Sequence, residues 1–224
     1  MDWSAIVLSL RLATATTLIL LAVGLPLVGW LALSQRRGRW FVDALVALPL
    51  VLPPTVLGFY VLVALGPRSP VGRAYESITG SAIVFSFQGL LIASVLYSLP
   101  FAVQPVAAAF AQIDPSLREV SATLGASGFR TFARVTLPLS IEGVIAGLVL
   151  SFAHTVGEFG VVLMVGGNLP GITRTVSISI YDHVQALEYQ QANQTALVLL
   201  AFSMLVLMAV YGLRRRPWAA APIA

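Results

Sequence analysis

The sequence has no cysteine, no lysine and little charge of either sign. Without cysteine there are no disulfides, thiolate nucleophiles or cysteine-metal sites. All 13 basic residues are arginine, so the P-loop lysine is missing and ATP cannot be bound and hydrolysed by that route. The only histidines are His154 and His183, too few for a histidine metal cluster, and neither HExxH nor GxSxG occurs. No catalytic arrangement remains, so the chain reads as a non-enzyme with no metal and no cofactor of its own. Charged residues make up 10% of the 224, where soluble domains carry about 25%. Hydrophobic residues make up 58%, and the mean hydropathy is +0.91. A soluble monomer this apolar would expose much of its hydrophobic surface. The composition excludes an ordinary cytosolic domain and a disordered chain.

What is present in quantity is long apolar runs. A membrane helix needs roughly 20 apolar residues to cross about 30 Å of hydrocarbon. Five stretches qualify, and they place spans near residues 8–34, 43–66, 82–110, 141–166 and 190–213. The expected fold is therefore all-α: one polytopic membrane domain over residues 1–224, with a connecting loop at 111–140. Met1-Asp2-Trp3 carries no positive n-region, and the first apolar run is too long for a cleaved signal peptide. Arg11 reads as a snorkelling side chain at the interface.

Arginines orient the spans. Arg36, Arg37 and Arg39 follow span one; Arg118, Arg130 and Arg134 follow span three; Arg214, Arg215 and Arg216 follow span five. The opposite side has only Arg68, Arg73 and Arg174. The positive-inside rule puts the first nine in the cytoplasm, the N-terminus outside and the C-terminus inside. The basic clusters are short and flank membrane spans, so the net charge of +4 does not point to nucleic acid. Five spans without a visible internal repeat enclose little of a pathway, and a homodimer with the pathway on its two-fold axis solves that problem.

The loop between spans three and four carries the most information. Asp114 suits an N-cap, Pro115 the first helical position and Gly125 a C-terminal stop. A second short helix is expected from Gly128 to Val135. On these grounds alone the pair can simply be interfacial helices joining two spans.

Glu119-Val120-Ser121, three residues, Gly125, nine residues, then Val135-Thr136-Leu137-Pro138 resembles the EAA loop of ABC importer permeases. The family pattern has alanines at the positions of Val120 and Ser121 and isoleucine at that of Val135. Three further segments resemble the permeases of molybdate importers: Ala47 to Tyr60, Gly66 to Gly72, and Gly157-Glu158-Phe159-Gly160 followed by Gly167 to Gly171. The last is shared with tungstate and sulfate permeases. The resemblance implies a type I importer permease in a bacterial or archaeal inner membrane, acting as a homodimer in the lipid bilayer. It also implies two cytoplasmic ABC ATPase subunits, which bind ATP and Mg, and an extracytoplasmic oxyanion-binding protein. Coupling to the ATPase would fall on Glu119, Ser121, Ala122, Gly125, Leu137 and Pro138. An ATP-independent channel or secondary transporter is the rival class, and it has no need of this loop.

Within the membrane, Glu158 is ionisable and His154 lies on the same helical face. A carboxylate repels a dianion, so the pair reads as gating or structural support rather than as a ligand. Pro49, Pro53 and Pro54 interrupt span two, and Thr55 adds a hydroxyl. The interruption serves either a kinked helix beside the pathway or packing alone. No cation sits in mid-membrane, which leaves hydroxyls, backbone N–H groups and helix dipoles to line an anion pathway. Gly143 and Gly147 form a GxxxG pair for close packing within the subunit or across a dimer. Pro100 and Pro105 read as kinks in span three, and Val176 to Gln190 as a solvated connector or a short interfacial helix.

Overall fold

The computed structural model describes residues 2–33 and 38–213, and all regular structure among them is helical. Arg36, Arg37, Arg214, Arg215 and Arg216, which weigh heavily in the expected orientation, lie outside the described residues.

Helix α1 runs from Trp3 to Leu33. Asp2 opens it, with Oδ1 accepting from the Ser4 hydroxyl at 2.6 Å and the Ala5 N–H at 3.0 Å. Span two differs from a single kinked helix. It is two helices, α2 (Arg39–Val51) and α3 (Pro54–Leu65), bent by 114°. The cause is local: Leu52 precedes Pro53 and Pro53 precedes Pro54, and a residue before proline is pushed out of the α region. Leu52 and Pro53 accordingly have ψ of 134° and 137°. Pro54 then restarts the helix at a position where its missing N–H costs nothing.

Helix α4 (Pro70–Thr79) is short and lies outside the spans. Helix α5 (Phe87–Ala111) begins five residues later than the expected start at 82, because Ser86 caps it and the chain before it turns. Phe85 is held at φ 58° there, and its N–H donates to the Val165 carbonyl at 3.0 Å. The helix then continues without interruption through Pro100 and Pro105.

The loop of residues 111–140 contains α6 (Pro115–Thr123), α7 (Gly128–Thr131), a π-helical turn at Phe132–Thr136, and α8 (Leu137–Leu139). Helix α9 (Ile141–Gly157) leaves it at an angle of 73°. Span four does not continue as one helix to 166: it breaks at Glu158 and Phe159 and resumes as α10 (Gly160–Gly166). Helices α11 (Val176–Gln185) and α12 (Tyr189–Leu213) complete the described chain. Helices α1, α5 and α12 are each long and apolar enough to cross a membrane, and the number is up to five if each of the two bent pairs is one span.

Helix α5 is the centre, with α1, α9, α10 and α2 packed around it. The glycine pair on α9 makes this possible. A Cβ on Gly147 would come within 2.6 Å of the Ala102 carbonyl oxygen, and one on Gly143 within 2.8 Å of that of Pro105. The GxxxG pattern therefore serves packing within the subunit, backbone against backbone. One apolar cluster joins Val28, Val46, Val103, Val106, Phe110 and Val144 near the loop end of the bundle. A second joins Leu12, Leu90, Val162 and Ile178 near the other end. The outer face of α12 exposes Leu197, Leu200, Leu205 and Met208, as a helix turned to hydrocarbon does.

Helix α11 is not a solvated connector. Val176, Ile178 and Ser179 are buried, and the Val176 N–H donates to the Ser9 hydroxyl of α1 at 2.8 Å. The short helix is present, but Ser179 is buried beside Ile178 and the helix is docked against the bundle.

Candidate functional site

Two places in the fold gather the residues singled out by sequence. The first is the loop that carries α6. Its opening is built as expected, since an Asp114 carboxylate oxygen accepts the Ser116 N–H at 2.9 Å and Pro115 stands in the first turn. The Ser116 backbone N–H, and then its hydroxyl, hold the Asp114 carboxyl below the usual carboxylate range. At the far end Gly125 takes φ +76°, and the Ala126 N–H reaches back to the Ser121 carbonyl at 3.1 Å. This is the left-handed stop that glycine provides without a Cβ penalty.

The sequence residues divide on this frame. Glu119, Ala122 and Gly125 are exposed. Ser121 turns inward instead, and its hydroxyl lies 2.8 Å from that of Thr131, joining α6 to α7. Leu137 packs into the cluster of Val28, Val103 and Val144, whereas Pro138 is exposed. Phe132 meets Phe110 of α5 edge to face at 5.8 Å between centroids. The loop is thus anchored at its base and bare at its tip. Leu124 and Phe129 are each 81% exposed and Val120 55%. Three large apolar side chains held in water beside a carboxylate form a surface suited to a protein partner.

The second place is a polar group within the spans. His154 Nδ1 lies 2.9 Å from the Ser98 hydroxyl of α5, which is also 2.9 Å from the Thr155 hydroxyl. The imidazole is stacked on Phe101 at 3.9 Å and lies 5.0 Å from Tyr97. Glu158 Oε2 is 4.0 Å from His154 Nε2, and its Oε1 accepts the Val161 N–H at 2.9 Å. Glu158 therefore stands where the span breaks and satisfies the first turn of α10. Gly160 follows, and only its lack of a Cβ lets Pro54 of α3 approach, at 2.7 Å from where that atom would be. His154, Glu158 and Pro54 thus lie along one chain of contacts, while Pro53 and Thr55 are exposed. The arrangement couples the α5–α9 pair to the α10–α3 pair. It contains no cation. Ser98, Tyr97 and Phe101 escaped the sequence reading, although Ser94 and Ser98 at helical spacing in an apolar run were the available signal.

The loop after α10 is tied down by charge. Asn168 donates to both carboxylate oxygens of Asp182 at 2.7 Å, and Arg174 bonds Asn168 at 2.7 Å and Asp182 at 3.1 Å. Arg174 on the loop and Asp182 on α11 fix the two together. Arg11 places its guanidinium over the Phe87 ring at 5.3 Å, a cation–π contact beyond simple snorkelling. Among the described residues no three His, Cys, Asp or Glu side chains converge as a metal site would require.

Comparison with known proteins extends these observations. The family described as "binding-protein-dependent transport system inner membrane component" matches residues 24–216. A molybdenum transport system permease protein of Azotobacter vinelandii is 52% identical over 214 residues, which are 96% of this chain and 95% of the relative. The corresponding permease of Escherichia coli K12 is 35% identical over 82% of this chain and 80% of its own. A bacterial importer of the polysaccharide alginate contains a chain of similar fold. Its TM-score is 0.76 at 21% identity, with 95% of this chain and 78% of the other covered. The MetNI methionine transporter, in inward-facing conformations, gives 0.71 at 18% identity, with 94% and 95% covered.

Proposed function

The chain belongs to the family of binding-protein-dependent transport system inner membrane components, and from that membership we propose that it is the permease subunit of an ATP-driven molybdate importer. It is a multi-pass inner-membrane protein. The observation that carries the substrate is the 52% identity, over nearly the whole chain, with a molybdenum transport permease.

Family membership supports the kind of partners, and the bare tip of the loop supports a docked ATPase. A homodimer forms the pathway, two cytoplasmic ATPase subunits bind ATP and Mg, and an extracytoplasmic binding protein delivers the anion. The exposed face of α6, with Val120, Leu124 and Glu119, enters a cleft of the ATPase. Movement of the ATPase pair then passes through the Ser121–Thr131 bond, the π-turn and Leu137 into α9 and α5. A short helix anchored at its base transmits rigid-body motion with little loss. At the other end of α9, the His154–Ser98 and Glu158–Val161 bonds carry the displacement to α10 and α3, which gate the pathway. The anion passes over hydroxyls and backbone N–H groups, which hold it weakly enough for release.

This mechanism requires the loop of α6 in the cytoplasm, with the N-terminus outside and the C-terminus inside. Reporter fusions test it. A fusion after Gly125 and one at the C-terminus give cytoplasmic signals, and one at Met1 gives an extracytoplasmic signal. Both termini on one side would mean an even number of crossings and overturn the arrangement.

A further inference from the structure

A cavity of about 460 Å³ lies at the loop end of the bundle, between α1, α2 and α5. The transport mechanism makes no use of it. Its walls are apolar, with Val28 from α1, Val46 from α2 and Val103, Ala107 and Phe110 from α5. Its polar lining is mostly charged: Arg39 at the start of α2, Arg118 on α6 and Asp43 line it, with the neutral amide of Gln104. Asp43 stands 3.4 Å from Arg39 and offsets one of the two guanidinium charges. The cavity is therefore amphipathic, with a net positive charge among its described lining residues.

That combination selects its occupant. A free oxyanion entering here would shed water against valine and phenylalanine, a loss the walls do not repay. An amphiphile brings its own apolar chain to those walls and leaves only its headgroup for the arginines. Basic pockets between membrane helices on the cytoplasmic side suit anionic headgroups. We propose that the cavity binds an anionic phospholipid of the adjoining leaflet, its phosphate between Arg39 and Arg118 and an acyl chain along Val46 and Val103. Arg118 directly precedes Glu119 on α6, so the lipid fixes the base of that helix relative to α5. The arginine-lined apolar cavity stands by itself; its cytoplasmic placement and its consequence for coupling rest on the permease reading.

The test uses the purified complex of this chain with its ATPase subunit, exposed in detergent to phosphatidylglycerol or to phosphatidylcholine and examined by native mass spectrometry. Wild type retains phosphatidylglycerol and releases phosphatidylcholine. Arg39→Gln with Arg118→Gln loses retention several-fold, and Arg118→Lys keeps it. Ala107→Trp fills the cavity and loses retention with both arginines present. Only variants with the wild-type size-exclusion profile are compared, and the charge changes lie outside the apolar cluster that holds the bundle. Equal retention of both lipids by wild type, or undiminished retention of phosphatidylglycerol by the double variant, overturns the proposal. So does labelled molybdate that binds wild type and not the double variant while lipid retention is unchanged. A wild-type complex that retains phosphatidylglycerol but imports no molybdate would leave the lipid site standing and remove the transport reading.

Discussion

Gly125→Val and Glu119→Lys should each abolish most molybdate uptake while the protein still inserts and folds. Gly125 holds φ +76°, and nothing lies within 4 Å of where a Cβ would be. The penalty is therefore conformational rather than steric. A β-branched residue there is strained by at least about 1–2 kcal/mol. The stop after α6 should relax, the helix should lengthen or tilt, and exposed Leu124 should leave its place on the proposed docking face. Glu119→Lys acts differently: it reverses a charge beside exposed Val120 and Leu124, where a like-charge contact can cost several kcal/mol. The measurement is uptake together with co-purification of the ATPase subunit. Either the complex dissociates or it hydrolyses ATP without transport. Wild-type uptake and wild-type co-purification in both variants would reduce α6 to a simple connector.

Glu158 gives the second large effect, and the pair Glu158→Ala and Glu158→Gln separates its roles. The carboxylate is buried and accepts the Val161 N–H at 2.9 Å. Alanine leaves that N–H without its partner in an apolar setting, at a cost of about 1–3 kcal/mol. The start of α10 then frays, the contact of Gly160 with Pro54 loosens, and α3 loses its fixed position. Glutamine keeps an acceptor oxygen in the same place. Uptake should fall at least tenfold in Glu158→Ala, with a lower melting temperature of the purified complex, and should largely survive in Glu158→Gln. If glutamine is as damaging as alanine, the charge matters and the hydrogen bond to α10 is not the reason for the residue.

Sequence revealed the parts of this molecule that local chemistry decides. Asp114, Pro115 and Gly125 delimit α6 by capping rules that hold within a few residues, and the structure has the helix at that place. The long runs in α1, α5 and α12 are legible for the same reason, because hydrocarbon thickness sets their length. The bend between α2 and α3 was half legible. Two consecutive prolines announce an interruption, but its 114° depends on where α3 can dock. That is decided by Gly58 and Gly160 meeting Met164 and Pro54, contacts made with a segment about a hundred residues away. Glu158 marks an interruption of span four in the sequence, but the separate helix α10 that follows depends on its packing against α3 and α5. The helix of α11 is legible in part, but its burial is not, because that comes from α1 and α12 rather than from its own pattern. At the polar group, His154 and Glu158 stood out by residue type. Ser98 did not, since a serine in a membrane helix is ordinary until a partner faces it.

This chain should pass molybdate only when a separate ATPase drives it. The direct test is reconstitution of the chain and its ATPase subunit in sealed vesicles, with ATP on the ATPase side and loaded binding protein on the other. Molybdate should accumulate inside only when the ATPase, ATP and binding protein are all present, and the chain alone should neither hydrolyse ATP nor conduct. Accumulation or leakage of molybdate through the chain alone would place it among channels or secondary transporters, and ATP hydrolysis with no molybdate movement would remove molybdate as the cargo.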